Sequence, residues 1–149
     1  MKKLSKILCL FTLLLISKNT SAKIVQIEFT KFDTYSTEIV YIKSGDTIEW
    51  LPNNGEHNVE FLAGPQMVSL PNKSKINIFH SVIFNESGIY LYGCTPHLNM
   101  GMLGLIIVDN NFENIADIRK IDLSPVASSV LNRLLKKVSL HSTKTSFFQ

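Results

Sequence analysis

Cys94, His97 and Met102 share one short segment, GCTPHLNMGMLG at residues 93–104, with the spacing Cys-x2-His-x4-Met. A second imidazole, His57, stands upstream in Gly55-Glu56-His57-Asn58. Two imidazoles and one thiolate make a trigonal donor set, and a thioether adds a long axial contact. That is the ligand set of electron-transfer copper sites. Soft sulfur stabilises Cu(I) and imidazole suits Cu(II), so a site acceptable to both passes an electron with little rearrangement. Each residue alone has a duller role: an isolated Cys packs as a small hydrophobe, and a lone Met fills a core. It is their conjunction that carries the chemistry.

The cysteine count sharpens the case. The chain of 149 residues has two Cys, Cys9 and Cys94. Cys9 lies inside an apolar run, residues 7–16, that follows the basic start Met1-Lys2-Lys3 with Lys6 and precedes Thr20-Ser21-Ala22. This is the pattern of a secretory signal peptide, residues 1–22, cleaved near Ala22. A run of about ten apolar residues is too short for a ~30 Å hydrocarbon core, so no membrane anchor is expected after processing. Removing Lys2, Lys3, Lys6 and Lys18 turns the formal charge of +3 into −1, and nothing in that balance points to nucleic acid. Cys94 is then the one thiol of an exported chain, which calls for burial, designed reactivity or a metal.

The elements that must hold these residues read as short strands. Alternating or apolar runs at 23–30, 38–43, 47–51, 58–62, 75–84, 89–93 and 103–108 are separated by turns such as Ser44-Gly45-Asp46 and Glu86-Ser87-Gly88. About seven such strands predict an all-β fold, an antiparallel Greek-key sandwich or barrel, over residues 23–110. A C-terminal helical extension at 111–149 follows. It opens with a short helix at 111–121, after which Ser124-Pro125 supplies a cap and a first-turn proline. Val126, Val130, Leu134 and Val138 fall four apart and mark an amphipathic helix that packs on the sandwich, with fraying expected from His141 onward.

The residues His57-Asn58-Val59-Glu60, Ser74-Lys75-Ile76-Asn77, Cys94-Thr95-Pro96-His97 and Met100-Gly101-Met102 resemble the type-1 blue copper proteins of the cupredoxin class, in particular the pseudoazurins. The resemblance implies one copper per chain, with His57, Cys94 and His97 as strong ligands, Met102 as the axial ligand and Met100 excluded. It implies that Asn58 and Thr95, each beside a ligand, hydrogen-bond across the loops and tune the metal. It also implies a periplasmic electron carrier, not an enzyme, docking through an apolar collar of Pro96, Leu98 and Met100 around the edge of His97.

A small apolar patch suits brief encounters, and a monomer is expected. The resemblance also implies a ring of lysines around this patch that steers acidic partners, and here that ring is incomplete. Glu56 precedes the first ligand, Leu98 replaces an aromatic, and Lys43, Lys73 and Lys75 are the candidates for a basic rim. The resemblance implies a copper nitrite reductase as partner, and the incomplete ring makes a c-type cytochrome or a peroxidase an equal expectation. A copper enzyme would need further histidines, and only His80 and His141 are unclaimed. A delivery protein would favour an open set of Met and His, and zinc has little use for a thioether.

Overall fold

The computed structural model describes residues 21–67 and 69–146. Seven strands run in the order β1 (Ile24–Glu28), β2 (Ile39–Ile42), β3 (Thr47–Leu51), β4 (Glu60–Ala63), β5 (His80–Ile83), β6 (Gly88–Gly93) and β7 (Leu103–Val108). A short helix α1 (Ile115–Ile118) and a long helix α2 (Pro125–Ser146) follow. The expected signal peptide, but for Ser21 and Ala22, lies outside the described residues. Among the described residues no helix is long and apolar enough to cross a membrane.

The strands form two sheets, β1-β3-β5 and β2-β7-β6-β4. Period-2 alternation places Ile27, Ile48 and Trp50 of the first sheet on the inner face, all fully buried. The central strands β6 and β7 are buried on both faces, and their side chains divide by parity. Tyr90, Tyr92, Ile106 and Val108 join the core between the sheets. Ile89, Leu91, Leu103, Leu105 and Ile107 face the other way and pack with Ala127, Leu131, Leu134, Leu135 and Val138 of α2. Each leucine buried there contributes roughly 1.5–3 kcal/mol relative to leaving it in water. The same parity, continued past the strand ends, carries Cys94 and Met102 into the inner core.

Four sequence expectations change. The sandwich is mixed, because β1 pairs with β3 and β2 with β7 in parallel. The other neighbouring pairs, β3–β5, β4–β6 and β6–β7, are antiparallel. The strand expected at 75–84 contracts to His80–Ile83. Asn77 adopts a left-handed φ of 59°, and its N–H donates to the carbonyl of His57 at 2.9 Å. That segment is a loop clamped on the site. The helix expected at 111–121 contracts to four residues, because Asn114 turns its side chain onto the N–H and carbonyl of Ile89 in β6. In the other direction, α2 continues to Ser146 where fraying was expected from His141.

Candidate metal centre

Local structure explains the spacing Cys-x2-His. β6 ends at Gly93, and Thr95–Met100 form a 3-10 helix with Pro96 in its first turn. Side chains three apart eclipse in such a helix, so His97 is folded over Cys94. The N–H of His97 donates to the carbonyl of Cys94 at 3.0 Å. Met102 closes the loop, its N–H bonded to His97 and its carbonyl accepting from the N–H of Cys94 at 3.1 Å. Gly101, at φ 89°, makes the left-handed turn that ends the helix.

His57 comes from the loop between β3 and β4. Its N–H donates to Oδ1 of Asn77 at 3.3 Å, and its carbonyl accepts from the Asn77 N–H, so the two segments hold each other in register. The Phe29 ring packs 5.5 Å from the imidazole.

Three donor atoms converge. Sγ of Cys94 lies 3.7 Å from Nδ1 of His57 and 3.5 Å from Nδ1 of His97, and the two Nδ1 atoms are 3.1 Å apart. These separations leave a point about 2.0 Å from both nitrogens and about 2.3 Å from the sulfur, the lengths of metal–imidazole and metal–thiolate bonds. The donor set therefore fits a copper ion. Burial favours its ligand forms at nitrogen: it lowers the His57 pKa, with the neighbouring His97 adding to the effect. Burial raises that of the Cys94 thiol, against backbone N–H groups of Asn58 and His97 that pull it down. Among the described residues no other group of three His, Cys, Asp or Glu side chains is placed to hold a metal.

The remaining expected residues sort by position. Met102 is buried beside Cys94 in the inner core, whereas Met100 is 56% exposed. Asn58 and Thr95 bond each other twice, and the Thr95 hydroxyl donates a hydrogen bond to Glu60 Oε2 at 2.6 Å. Pro96 is exposed, and Leu98 is half-buried, packed partly toward the α2 side. Of the candidate rim lysines, Lys43 belongs to the far end of the sandwich, where β2 closes on Asp109 after β7. Lys73 is paired with Glu60 at 3.2 Å. His80 stacks on Trp50 and His141 on Tyr41, both away from the three donors.

Sequence reasoning missed Asp33, which follows the exposed Phe32 in the loop between β1 and β2. Phe32 is 75% exposed, and Asp33 reaches both histidines. No local signal in Thr30-Lys31-Phe32-Asp33-Thr34 ties that loop to the site; only the sheet topology does.

A profile of the family described as copper binding proteins, plastocyanin/azurin family, matches residues 23–109. The chain is 37% identical over 83 residues to the pseudoazurin of Paracoccus pantotrophus, covering 54% of this chain and 57% of that one, less than two thirds of its length. It is 37% identical over 108 residues to the plastocyanin of Prochlorothrix hollandica, covering 66% of this chain and 82% of the other. The crystal structure of pseudoazurin from Methylobacterium extorquens AM1 superposes with a TM-score of 0.67 over 77% of this chain and 98% of that chain, at 23% identity. At that identity the likeness is one of fold.

Proposed function

Because the chain belongs to the copper-binding plastocyanin/azurin family, we propose that it is a pseudoazurin-like periplasmic carrier of single electrons rather than an enzyme. The observation that carries this reading is the triangle of two imidazole nitrogens and one thiolate sulfur around a common point, about 2.0 Å from the nitrogens and about 2.3 Å from the sulfur. His57, Cys94 and His97 are the strong ligands, with Met102 as the axial one. Copper held this way supplies a one-electron Cu(I)/Cu(II) couple.

The chain's own residues do the rest. Exposure separates the two imidazoles: the His57 side chain is 3% exposed and that of His97 is 16% exposed. His97 is therefore the donor whose edge meets a partner, within a collar formed by Pro96, Leu98 and Met100. The clasp of Asn58 on Thr95 keeps the two ligand loops in fixed relation, so both redox states find the same geometry.

The partners are redox proteins: a copper nitrite reductase, a c-type cytochrome or a peroxidase. Asp33 stands on the docking end and Lys73 is neutralised by Glu60, so a strongly acidic partner is less favoured than the family habit suggests. Export to the periplasm rests on the pattern of residues 1–22, and a monomeric state on the small docking patch.

Titration of the purified protein with Cu(II), beside Cys94→Ser, tests the reading. One equivalent is expected to give an intense thiolate-to-copper band that ascorbate bleaches and the variant lacks. A colourless protein that binds copper tightly would refute electron transfer.

A further inference from the structure

A single carboxylate oxygen faces both histidines from outside the donor triangle. Oδ1 of Asp33 lies 3.7 Å from Nε2 of His57 and 3.8 Å from Nε2 of His97. Both approaches are longer than a direct hydrogen bond and well within the reach of a charge.

The placement is built. The loop is closed by the N–H of Thr30 on the carbonyl of Thr34 at 2.8 Å and by a 2.7 Å hydrogen bond between their hydroxyls. Within it, the N–H of Phe32 donates to the Thr30 hydroxyl at 3.2 Å, and Asp33 takes a left-handed φ of 53°. At its base Phe29 and Tyr35 bridge and are both buried, and the Tyr35 hydroxyl donates to the carbonyl of Asn58 at 3.1 Å. The loop is thus tied to the residue next to His57.

With Nδ1 of each ring turned to the triangle, each Nε2 carries its proton; that of His57 has the backbone carbonyl of Thr30 as a partner, and both rings lie within the field of the same anion. We propose that Asp33 is a positioning residue that favours the metal-binding tautomer of His97 and sets the redox potential by placing one negative charge behind both imidazoles. This rests on the copper reading above. A carboxylate behind a metal-bound histidine raises the ring's basicity as a ligand. A negative charge there favours the more positive oxidation state, so it lowers the potential.

The test is the midpoint potential of the copper-loaded wild type, D33N and D33E, measured by voltammetry with the thiolate-to-copper band recorded for each. D33N removes the charge at constant shape, and its preference for Cu(II) over Cu(I) should fall about tenfold, a rise of about 59 mV for one electron. D33E should remain near wild type, and Asp109→Asn at the far end should not move it. A D33N potential equal to wild type with the band intact overturns the proposal, as does a D33E shift as large as that of D33N. A wild type that shows no band would instead bring down the copper reading itself, a different failure with a different signature.

Discussion

Thr95 and Asn58 grip each other with two hydrogen bonds: the Thr95 N–H donates to Asn58 Oδ1 at 2.7 Å, and Asn58 Nδ2 donates to Thr95 Oγ1 at 3.0 Å. Asn58 is fully buried beside His57, and Thr95 follows Cys94, so the clasp joins the two ligand-bearing loops. Asn58→Ala leaves the Thr95 N–H without its acceptor and should cost about 1–3 kcal/mol of stability. Chemical denaturation checks that figure. The same variant should shift the midpoint potential and speed copper loss to a chelator; an unchanged potential would mean that the clasp is purely structural.

Gly104 sits directly opposite Tyr92 across β6 and β7. A Cβ at this position would run into the Tyr92 ring, which is buried with no room to retreat. Gly104→Ala should therefore destabilise the protein by about 1–3 kcal/mol through overpacking. Gly55→Ala, where a Cβ meets nothing within 4 Å, is the control expected to be near neutral. Thermal unfolding of the two variants decides it.

Asp46 gives a pH dependence with a definite sign. Its buried carboxylate accepts the N–H of Lys23 at 2.7 Å and that of Lys43 at 2.8 Å. Burial alone would raise its pKa, but those two donors outweigh it and hold the group below its ordinary value. A depressed folded value means that the stabilisation is complete above the ordinary carboxyl range and is lost as pH falls through the folded value. Asp46→Asn should therefore be less stable than wild type at neutral pH, with the gap closing in strong acid. Urea unfolding of both proteins across that range measures the gap.

Much of the site was legible because its spacing is local. Cys-x2-His follows from a 3-10 turn, and the inward placement of Cys94 and Met102 follows from the parity of β6 and β7. What escaped is non-local. The segment at 75–79 has the apolar content of a strand, and only its clamp on His57 makes it a loop. The parallel pairings arise from crossings between sheets, which alternation cannot reveal. Lys43 follows a strand, as a rim residue could, yet the direction of β2 puts it at the wrong end. Asp33 has no motif at all, since its relation to the histidines depends on where β1 lies.

Helix α2 bears on the metal loop, which gives a last prediction. The Ser124 hydroxyl donates to the carbonyl of Asn99 at 3.0 Å and accepts the N–H of Ala127 at 3.3 Å, so the helix cap is also a tether on the 3-10 segment. One turn further on, Val130 lies against Gly101, where an added Cβ would come within 2.7 Å of its Cγ2. Gly101→Ala therefore meets two costs: the left-handed backbone, about 1–2 kcal/mol for a residue with a Cβ, and the encounter with Val130. Both act on the turn that separates His97 from Met102. The variant should be less stable and should release copper faster to a chelator than wild type. Adding Val130→Ala relieves only the encounter, so the double variant should regain part of the copper retention and keep the backbone share of the loss. Full recovery would show that crowding by α2, and not the turn, sets the loop.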